Sequence, residues 1–289
     1  MGTSSLSPKE NFARAIRCPD DEINLGAAAL YAASSEFPDL DVIAYQGRIA
    51  QFGIRVKDLL PANYSNFDFV DAMHEVLFGK AGFTGDSKDY FDPGNSHLNE
   101  VIDHLKGNPV TLSIFYIEVA RVSGEKVRGI SLRKHFVVVV GTGEDRIYID
   151  PFHAGGLLSR KECITNILGK DNFKNSDLDD LERKCLKPAS NRAILRRQLS
   201  NLKVAHEKHK QYDLALSASE RIQLVDPTNL RNLSELAHLQ TKVGNFGDAL
   251  DSLTQFLERA PAGSNTEQAE SALLKLKALT FRVSDDSSD

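Results

Sequence analysis

The sequence predicts an α+β fold in which helices pack on a small antiparallel sheet, followed by an all-α array of helical repeats. Two observations predict it. Residues 135–150 contain two segments rich in β-branched residues on either side of a glycine-containing turn, directly after an apolar helical segment at 109–123. From residue 191 onward the sequence repeats with a fixed period. We expect a first domain over residues 1–190, the array over 191–282 and a disordered acidic tail over 283–289.

The composition is that of a globular protein without a membrane or nucleic-acid partner. Of 289 residues, 41% are hydrophobic and 26% are charged, and the formal net charge is −5. No apolar run approaches the ~20 residues of a membrane span, and residues 1–10 contain no apolar signal-peptide core. The three cysteines are widely spaced and odd in number, which is typical of reduced thiols. We therefore expect a cytoplasmic protein.

The N-terminal part is predicted to be a layer of helices that covers one side of the sheet. A short helix is expected to begin at Pro8, and a second is expected to begin at Pro19 and to end before Phe37-Pro38. Two more are expected near residues 39–59 and 67–78, from apolar spacing and from prolines at their ends. Residues 79–95 hold four glycines and are predicted to form a loop. Asn95 or Ser96 is then expected to cap a short helix that ends at Leu105.

The two strands of the hairpin bring a histidine close to a carboxylate. We predict strands at residues 135–140 and 145–150, with Thr142-Gly143 as a two-residue turn. Counting outward from that turn places His135 directly opposite Asp150, with Cβ atoms ~5 Å apart. A third strand is expected at residues 127–132. The run of four valines at 137–140 predicts a strand that is buried on both faces.

A histidine beside a carboxylate can act as a general acid or base, because the carboxylate orients the ring and stabilises the imidazolium. The simpler alternative is a polar pair that only satisfies its own hydrogen bonds. A nucleophile is expected at the start of the preceding helix, where backbone amides lower the pKa of a thiol. That start reads GNPVTLS and has no cysteine. Thr111 and Ser113 are the hydroxyls that could replace a thiol; alternatively, Thr111 caps the helix and Ser113 packs.

Several short motifs accompany this pair. They are Asp92-Pro93, Asn95-Ser96, Leu98-Asn99, Gly107-x-Pro109, Leu112-Ser113, Ala120, Gly124, His135-Phe136, Asp150-Pro151-Phe152 and Gly155-Gly156. Their combination resembles the SirB-type transglutaminase-like family, whose members carry tetratricopeptide repeats at the C-terminus. In active members of the superfamily a Gly-x-Cys opens the helix, so the resemblance implies that Pro109 stands in place of the catalytic cysteine. His135 and Asp150 match, and the nucleophile does not, which implies a pseudoenzyme.

The C-terminal part repeats with a period of 34 residues. The offset aligns Leu202 with Leu236, Tyr212 with Phe246, Ala215 with Ala249, Leu216 with Leu250 and Pro227 with Pro261. This period, with alanine in the second helix and proline after it, is the tetratricopeptide signature. Each repeat is a pair of antiparallel helices that cannot bury its apolar face alone. Two repeats are visible, and a further helix at residues 265–279 is expected to cap them.

These observations favour a non-catalytic binding or regulatory module that recruits a protein or peptide partner through the repeats. Arg192, Arg196, Arg197 and Lys203 either form a solvated face or line a groove for an acidic or C-terminal peptide. Asn95, at a family motif position, is a further candidate binding residue or a helix cap. The alternative is an amide-bond hydrolase or acyltransferase that uses His135 and Asp150 with Thr111, Ser113 or water as the nucleophile. No metal site and no cofactor are predicted, because the histidines and cysteines lack ligand spacing.

Overall fold

The protein is described by a computed structural model over residues 6–169, 178–262 and 266–286. It divides into two compact units, residues 1–198 and residues 199–289. The division falls inside a helix, α9 (Asn191–Lys208), and the predicted domain boundary at residue 190 stays a prediction. Among the described residues, no helix combines the length and the hydropathy that a bilayer span requires.

The first unit has the α+β architecture that the sequence predicts. Its helices before α9 are α1 (Pro8–Ala15), α2 (Leu25–Ala33), α3 (Val42–Leu59), α4 (Asn66–His74), α5 (Leu98–His104), α6 (Pro109–Ser123), α7 (Arg160–Leu168) and α8 (Leu178–Cys185). A π-helical segment, Glu75–Lys80, follows α4 directly. Two two-residue strands, β1 (Thr84–Gly85) and β2 (Lys106–Gly107), pair in parallel. β1 lies in the region expected to be a loop, and β2 directly precedes the start of α6.

The main sheet has four antiparallel strands in the order β3-β4-β5-β6. They are β3 (Arg128–Leu132), β4 (His135–Val140), β5 (Ile147–Asp150) and β6 (Gly156–Leu158). The last of them was not predicted from the sequence. All four valines of β4 are buried, which confirms the prediction of a strand covered on both faces. α6 packs against β4. Val137 and Val139, which share a strand face with His135 by alternation, cluster with Cys163 and Ile164 of α7.

The predicted two-residue turn between β4 and β5 is wrong. The connection spans residues 141–146 and contains a 3-10 turn, Gly143–Asp145, because Gly141 at φ +81° already turns the chain out of the strand. Val140 pairs with Ile147, and continuation of that register places Asp150 opposite Val137. The error is two residues. Because side chains alternate between faces with a period of two, His135 and Asp150 still share a face as diagonal neighbours.

Helix α6 is the centre of the first unit. Twelve of its fifteen residues are buried, from Pro109 through Ser123. Helix α3 approaches it closely at Gly53, where an added Cβ would lie 2.5 Å from the Cβ of Val122 and 2.9 Å from the carbonyl oxygen of Val119. Glycine at this position therefore sets the distance between the two helices.

The second unit consists of helix pairs, as the repeat period predicts. After α9 come α10 (Tyr212–Val225), α11 (Leu230–Lys242), α12 (Phe246–Arg259) and α13 (Glu267–Asp286). Ala215 and Leu216 of α10 pack on Leu233, Leu236 and Leu239 of α11. A second cluster joins α11, α12 and α13. The predicted tail at 283–289 overlaps the end of α13, and its residues 287–289 lie outside the described residues.

Substitution of Gly53 and of Gly47, on the same helix, should change stability in opposite directions. Gly53→Ala should lower the free energy of unfolding by about 1–3 kcal/mol, because the new methyl overlaps Val122. Gly47 has nothing within 4 Å of an added Cβ, so Gly47→Ala should raise it by about 0.5–1 kcal/mol through the unfolded chain. Urea unfolding followed by circular dichroism measures both. Equal effects of the two substitutions would contradict the close approach of α3 and α6.

Candidate functional site

The site begins at the N-terminus of α6, where the superfamily nucleophile would stand. Asn108 is the N-cap of this helix, and its Oδ1 accepts hydrogen bonds from the backbone N–H groups of Val110 and Thr111, both at 3.0 Å. The N–H of Leu112 donates to the carbonyl oxygen of Asn108 at 3.1 Å. Pro109 has no N–H to donate. Every amide of the first helical turn is therefore already paired with Asn108.

The two hydroxyls predicted as alternative nucleophiles bond to the same helix start. Thr111 and Ser113 are both fully buried. Thr111 Oγ1 donates to Asn108 Oδ1 at 3.2 Å, and Ser113 Oγ donates to the carbonyl oxygen of Pro109 at 2.7 Å. The cap is thus Asn108, with Thr111 as an additional donor to it. Within the described residues, neither hydroxyl hydrogen-bonds His135.

His135 and Asp150 lie within hydrogen-bond distance, as the alternation of the strands predicts. The Nε2 atom of His135 is 2.7 Å from Oδ2 of Asp150. The carboxylate is buried, while the histidine side chain is 18% exposed. Because Asp150 engages Nε2, an uncharged ring carries its proton there and leaves Nδ1 as the basic nitrogen. No hydrogen bond to Nδ1 is formed within the described part of the chain.

A second histidine, which the sequence analysis missed, shares the same carboxylate. His153 Nδ1 is also 2.7 Å from Asp150 Oδ2, and its side chain is 68% exposed. Asp150 Oδ1 accepts hydrogen bonds from the backbone N–H groups of Phe152 at 3.0 Å and His153 at 3.3 Å. The signal was present in the sequence: Pro151 after the last strand residue starts a helical turn, and such a turn places residue i+3 above residue i.

The hydrogen bonds determine the protonation state of Asp150. Burial alone would raise the pKa of this carboxyl, but the hydrogen bonds and charges of His135 and His153 outweigh burial and hold the pKa below its ordinary value. The carboxylate therefore stays ionised at neutral pH between two imidazoles. Such an arrangement can orient His135 for acid–base chemistry and can also bind a cation.

Aromatic side chains surround the exposed side of the pair. The ring of Phe152 lies edge-on to His135 at 6.0 Å between centroids, and Tyr90 lies 6.2 Å from Phe152. Tyr90 and Phe91 are partly exposed. Gly85 lies beneath Phe152, where a Cβ would come within 2.3 Å of the ring. The loop that contains β1 therefore holds Phe152 beside the histidine.

Asn95 is part of the scaffold of this region. It is buried, and its Nδ2 donates to the carbonyl oxygen of Asp89 at 2.7 Å. The prediction that Asn95 or Ser96 caps the next helix is wrong, because both residues belong to a 3-10 turn, Pro93–Ser96, that is capped by Asp92. The N-cap of α5 is His97, which makes no side-chain capping bond. The amide of Asn95 thus holds the preceding loop in place.

The four predicted basic residues do not form one exposed face. In the first unit, Arg192 donates to the carbonyl oxygens of Ile16 and Cys18 at 2.7 and 3.1 Å. Arg197 is half-buried, 3.4 Å from the hydroxyl of Ser131, and Arg196 is exposed. In the second unit, Lys203 is buried and forms an ion pair with Glu235. The solvated-face interpretation is wrong for Arg192 and Lys203, whose partners are far away in the sequence.

The cysteines lie elsewhere. Cys163 is fully buried in a cluster with Leu132, Val137 and Tyr148, and burial raises the pKa of its thiol to about 12. Cys18 and Cys185 are half-buried free thiols. Among the described residues, none of the three sulfurs hydrogen-bonds His135. Cys163, with its raised thiol pKa, is a poor nucleophile at neutral pH.

Comparison with known proteins gives two family matches and several relatives. Residues 43–200 match the model of the transglutaminase-like superfamily, and residues 190–274 match a tetratricopeptide repeat model. A UPF0162 protein of Xylella fastidiosa (strain 9a5c) is 30% identical over 265 residues, which cover 89% of this chain and 91% of that protein. A UPF0162 protein of Vibrio cholerae serotype O1 is 25% identical over 211 residues, 73% of this chain and 75% of that protein. Human F-box only protein 21 is 31% identical over 102 residues, 32% of this chain and 16% of that protein.

Replacement of Asp150 by asparagine should destabilise the protein in a pH-dependent manner. The folded-state pKa of Asp150 is lowered, so its contribution is complete above the unfolded pKa of about 3.9 and is lost as the pH falls through the folded value. Asp150→Asn should lower the free energy of unfolding by about 1–3 kcal/mol at pH 7. The difference from wild type should shrink below about pH 4. Urea titrations from pH 7 to pH 3 measure it, and a difference that does not change with pH would contradict the ionised carboxylate.

Proposed function

The chain belongs to the transglutaminase-like superfamily, as its motifs predicted, and we propose that it acts as a non-catalytic binding or regulatory module. In this proposal, the tetratricopeptide repeats recruit a protein or peptide partner. One observation carries the proposal: the helix start that would present the nucleophile is closed by its own hydrogen bonds. A cytoplasmic location is part of the proposal and agrees with three free cysteines.

Acyl transfer needs a nucleophile and donors that stabilise the developing oxyanion. The residue in place of the cysteine, Pro109, offers neither a thiol nor an amide hydrogen. The next two amides donate to Asn108 Oδ1, and the two nearby hydroxyls are buried and bonded to the helix start. Any oxyanion at this position would have to displace the cap. This supports the loss of the transfer reaction.

The repeat array supports the binding role. Arrays of this kind use extended concave surfaces to bind partners. On α11, Arg231, His238 and Lys242 are exposed and follow one another at helical spacing. The side chain of Arg231 is 89% exposed and donates to Glu235 at 2.9 Å. The three side chains form a basic stripe, which we call the α11 stripe. It favours a partner segment that is acidic or ends in a carboxylate.

A second candidate function is hydrolysis with water as the nucleophile. The observation that favours it is the intact pair of His135 and Asp150, with Nδ1 of a partly exposed histidine available as a base. Of the three nucleophiles considered from the sequence, water suits the structure best, because Thr111 and Ser113 are buried. Amide-bond cleavage would then depend on His135.

The two candidates predict opposite effects of two sets of substitutions. A partner is first captured with the full chain, identified by cross-linking and mass spectrometry, and purified. The triple variant Arg231→Ala, His238→Ala, Lys242→Ala should then weaken its binding at least tenfold, or about 1.4 kcal/mol. His135→Ala should leave the affinity within twofold of wild type. Isothermal titration calorimetry measures each affinity.

Arg259→Ala is the matched control, because it removes an exposed cation from α12 whose hydrogen bonds are long, at 3.4 Å. It should bind the partner like wild type. Circular dichroism verifies that every variant is folded. If His135→Ala abolishes the biological activity and the triple variant keeps full binding, the non-catalytic role is wrong and the hydrolase takes its place.

A further inference from the structure

We propose that His135, Asp150 and His153 form a binding site for a divalent transition-metal ion, with Zn²⁺ as the best match. Each of the three residues offers one ligand atom, and these atoms all lie within 4.8 Å of one another. The site lies entirely within the first unit. The proposal goes beyond the binding role of the repeats and does not depend on it.

The backbone holds two of the ligands in position. Asp150 ends β5 and caps a 3-10 turn, Pro151–His153. In a 3-10 turn the side chains of residues i and i+3 eclipse one another, so Asp150 and His153 point to the same side. Ala154 at φ +49° and Gly155 at φ +79° then reverse the chain into β6. The turn therefore lies between two strands of the sheet, β5 before it and β6 after it.

The third ligand comes from the neighbouring strand. His135 is the first residue of β4 and lies diagonally across from Asp150. Its Nε2 and the Nδ1 of His153 are each 2.7 Å from the same oxygen, Asp150 Oδ2. Around tetrahedral Zn²⁺, with bonds of about 2.0–2.2 Å, ligand atoms lie about 3.3–3.5 Å apart. The two contacts need to open by less than about 1 Å, and the exposed His153 side chain can move.

The carboxylate is already oriented for a metal. Its Oδ1 accepts two backbone N–H groups, from Phe152 and His153, and these bonds fix the plane of the carboxylate. Oδ2 then faces the two imidazoles. Ligating carboxylates are commonly fixed in this way by partners on the oxygen that does not bind the metal. On metal binding each neutral ring would change tautomer: the proton on Nε2 of His135 would move to Nδ1, and the proton on Nδ1 of His153 would move to Nε2. The nitrogens that face Oδ2 would then be free to bind the ion.

The ligand set identifies the class of ion. Two imidazole nitrogens and one carboxylate oxygen suit Zn²⁺ or Fe²⁺ and are poor ligands for Ca²⁺ or Mg²⁺, which prefer oxygen alone. Three protein ligands leave at least one coordination position for water, as in open zinc sites. The side chain of His153 is 68% exposed, so the site is accessible to solvent on the side of this residue.

The test uses the full chain and Zn²⁺ in competition with a chromophoric chelator. Wild type should bind one Zn²⁺ that His153→Ala binds at least tenfold more weakly. The matched control is His104→Ala. His104 is also an exposed histidine beside a carboxylate, Glu100 at 3.3 Å, but it belongs to no group of three possible ligands among the described residues. This control should bind zinc like wild type.

A second readout identifies the ligands directly. In ¹⁵N-edited NMR spectra of the imidazole rings, Zn²⁺ should shift Nε2 of His135 and Nδ1 of His153 and leave the signals of His104 in place. Because His153 is exposed, His153→Ala should fold, and His153→Gln provides a second variant. Equal zinc affinity of wild type and both His153 variants, or unshifted ring signals, would overturn the proposal. Neither measurement involves the repeat partner, so the two proposals fail independently.

Discussion

The arrangement of the first unit depends on one constraint: α6 is buried along almost its whole length, so its terminal amides cannot be left to water. Unpaired buried N–H groups cost free energy comparable to a lost hydrogen bond. The side chain and the carbonyl oxygen of Asn108 accept hydrogen bonds from the amides of the first turn. Pro109 has no amide hydrogen that would need a partner. The same solution that stabilises the helix takes away the amides that an oxyanion would need. In the proposed non-catalytic role, the amides of this helix start serve the helix and not an oxyanion.

The pair of His135 and Asp150 is stabilised by contacts that do not involve the start of α6. Asp150 is buried, ionised and shared by two imidazoles, and its other oxygen is held by backbone amides. Nothing in this arrangement needs a nucleophile, because the two imidazoles and two backbone amides already satisfy the carboxylate. In the proposed non-catalytic role the pair can persist without transfer activity, and His153 adds the third ligand of the proposed metal site.

Much of this could be predicted from the sequence, because the signals were local or periodic. Side chains alternate between the two faces of a strand, so a turn prediction that was wrong by two residues still placed His135 and Asp150 on the same face. The period of the repeats identified the helix pairs of the second unit. Arg192 and Lys203 were misjudged because their partners lie 176 and 32 residues away in the chain, where no local pattern reports them. His153 was missed although the proline before it indicated the turn.

The most direct measurement of the central claim, that the start of α6 is closed to covalent chemistry, is labelling with a fluorophosphonate probe that reacts with activated hydroxyls. After incubation, the peptide that contains Thr111 and Ser113 is analysed by mass spectrometry in native and in urea-unfolded protein. We predict no adduct on this peptide in the native protein, either in wild type or in His135→Ala. An adduct on Thr111 or Ser113 in the native protein that disappears in His135→Ala would contradict the account and reveal a working nucleophile.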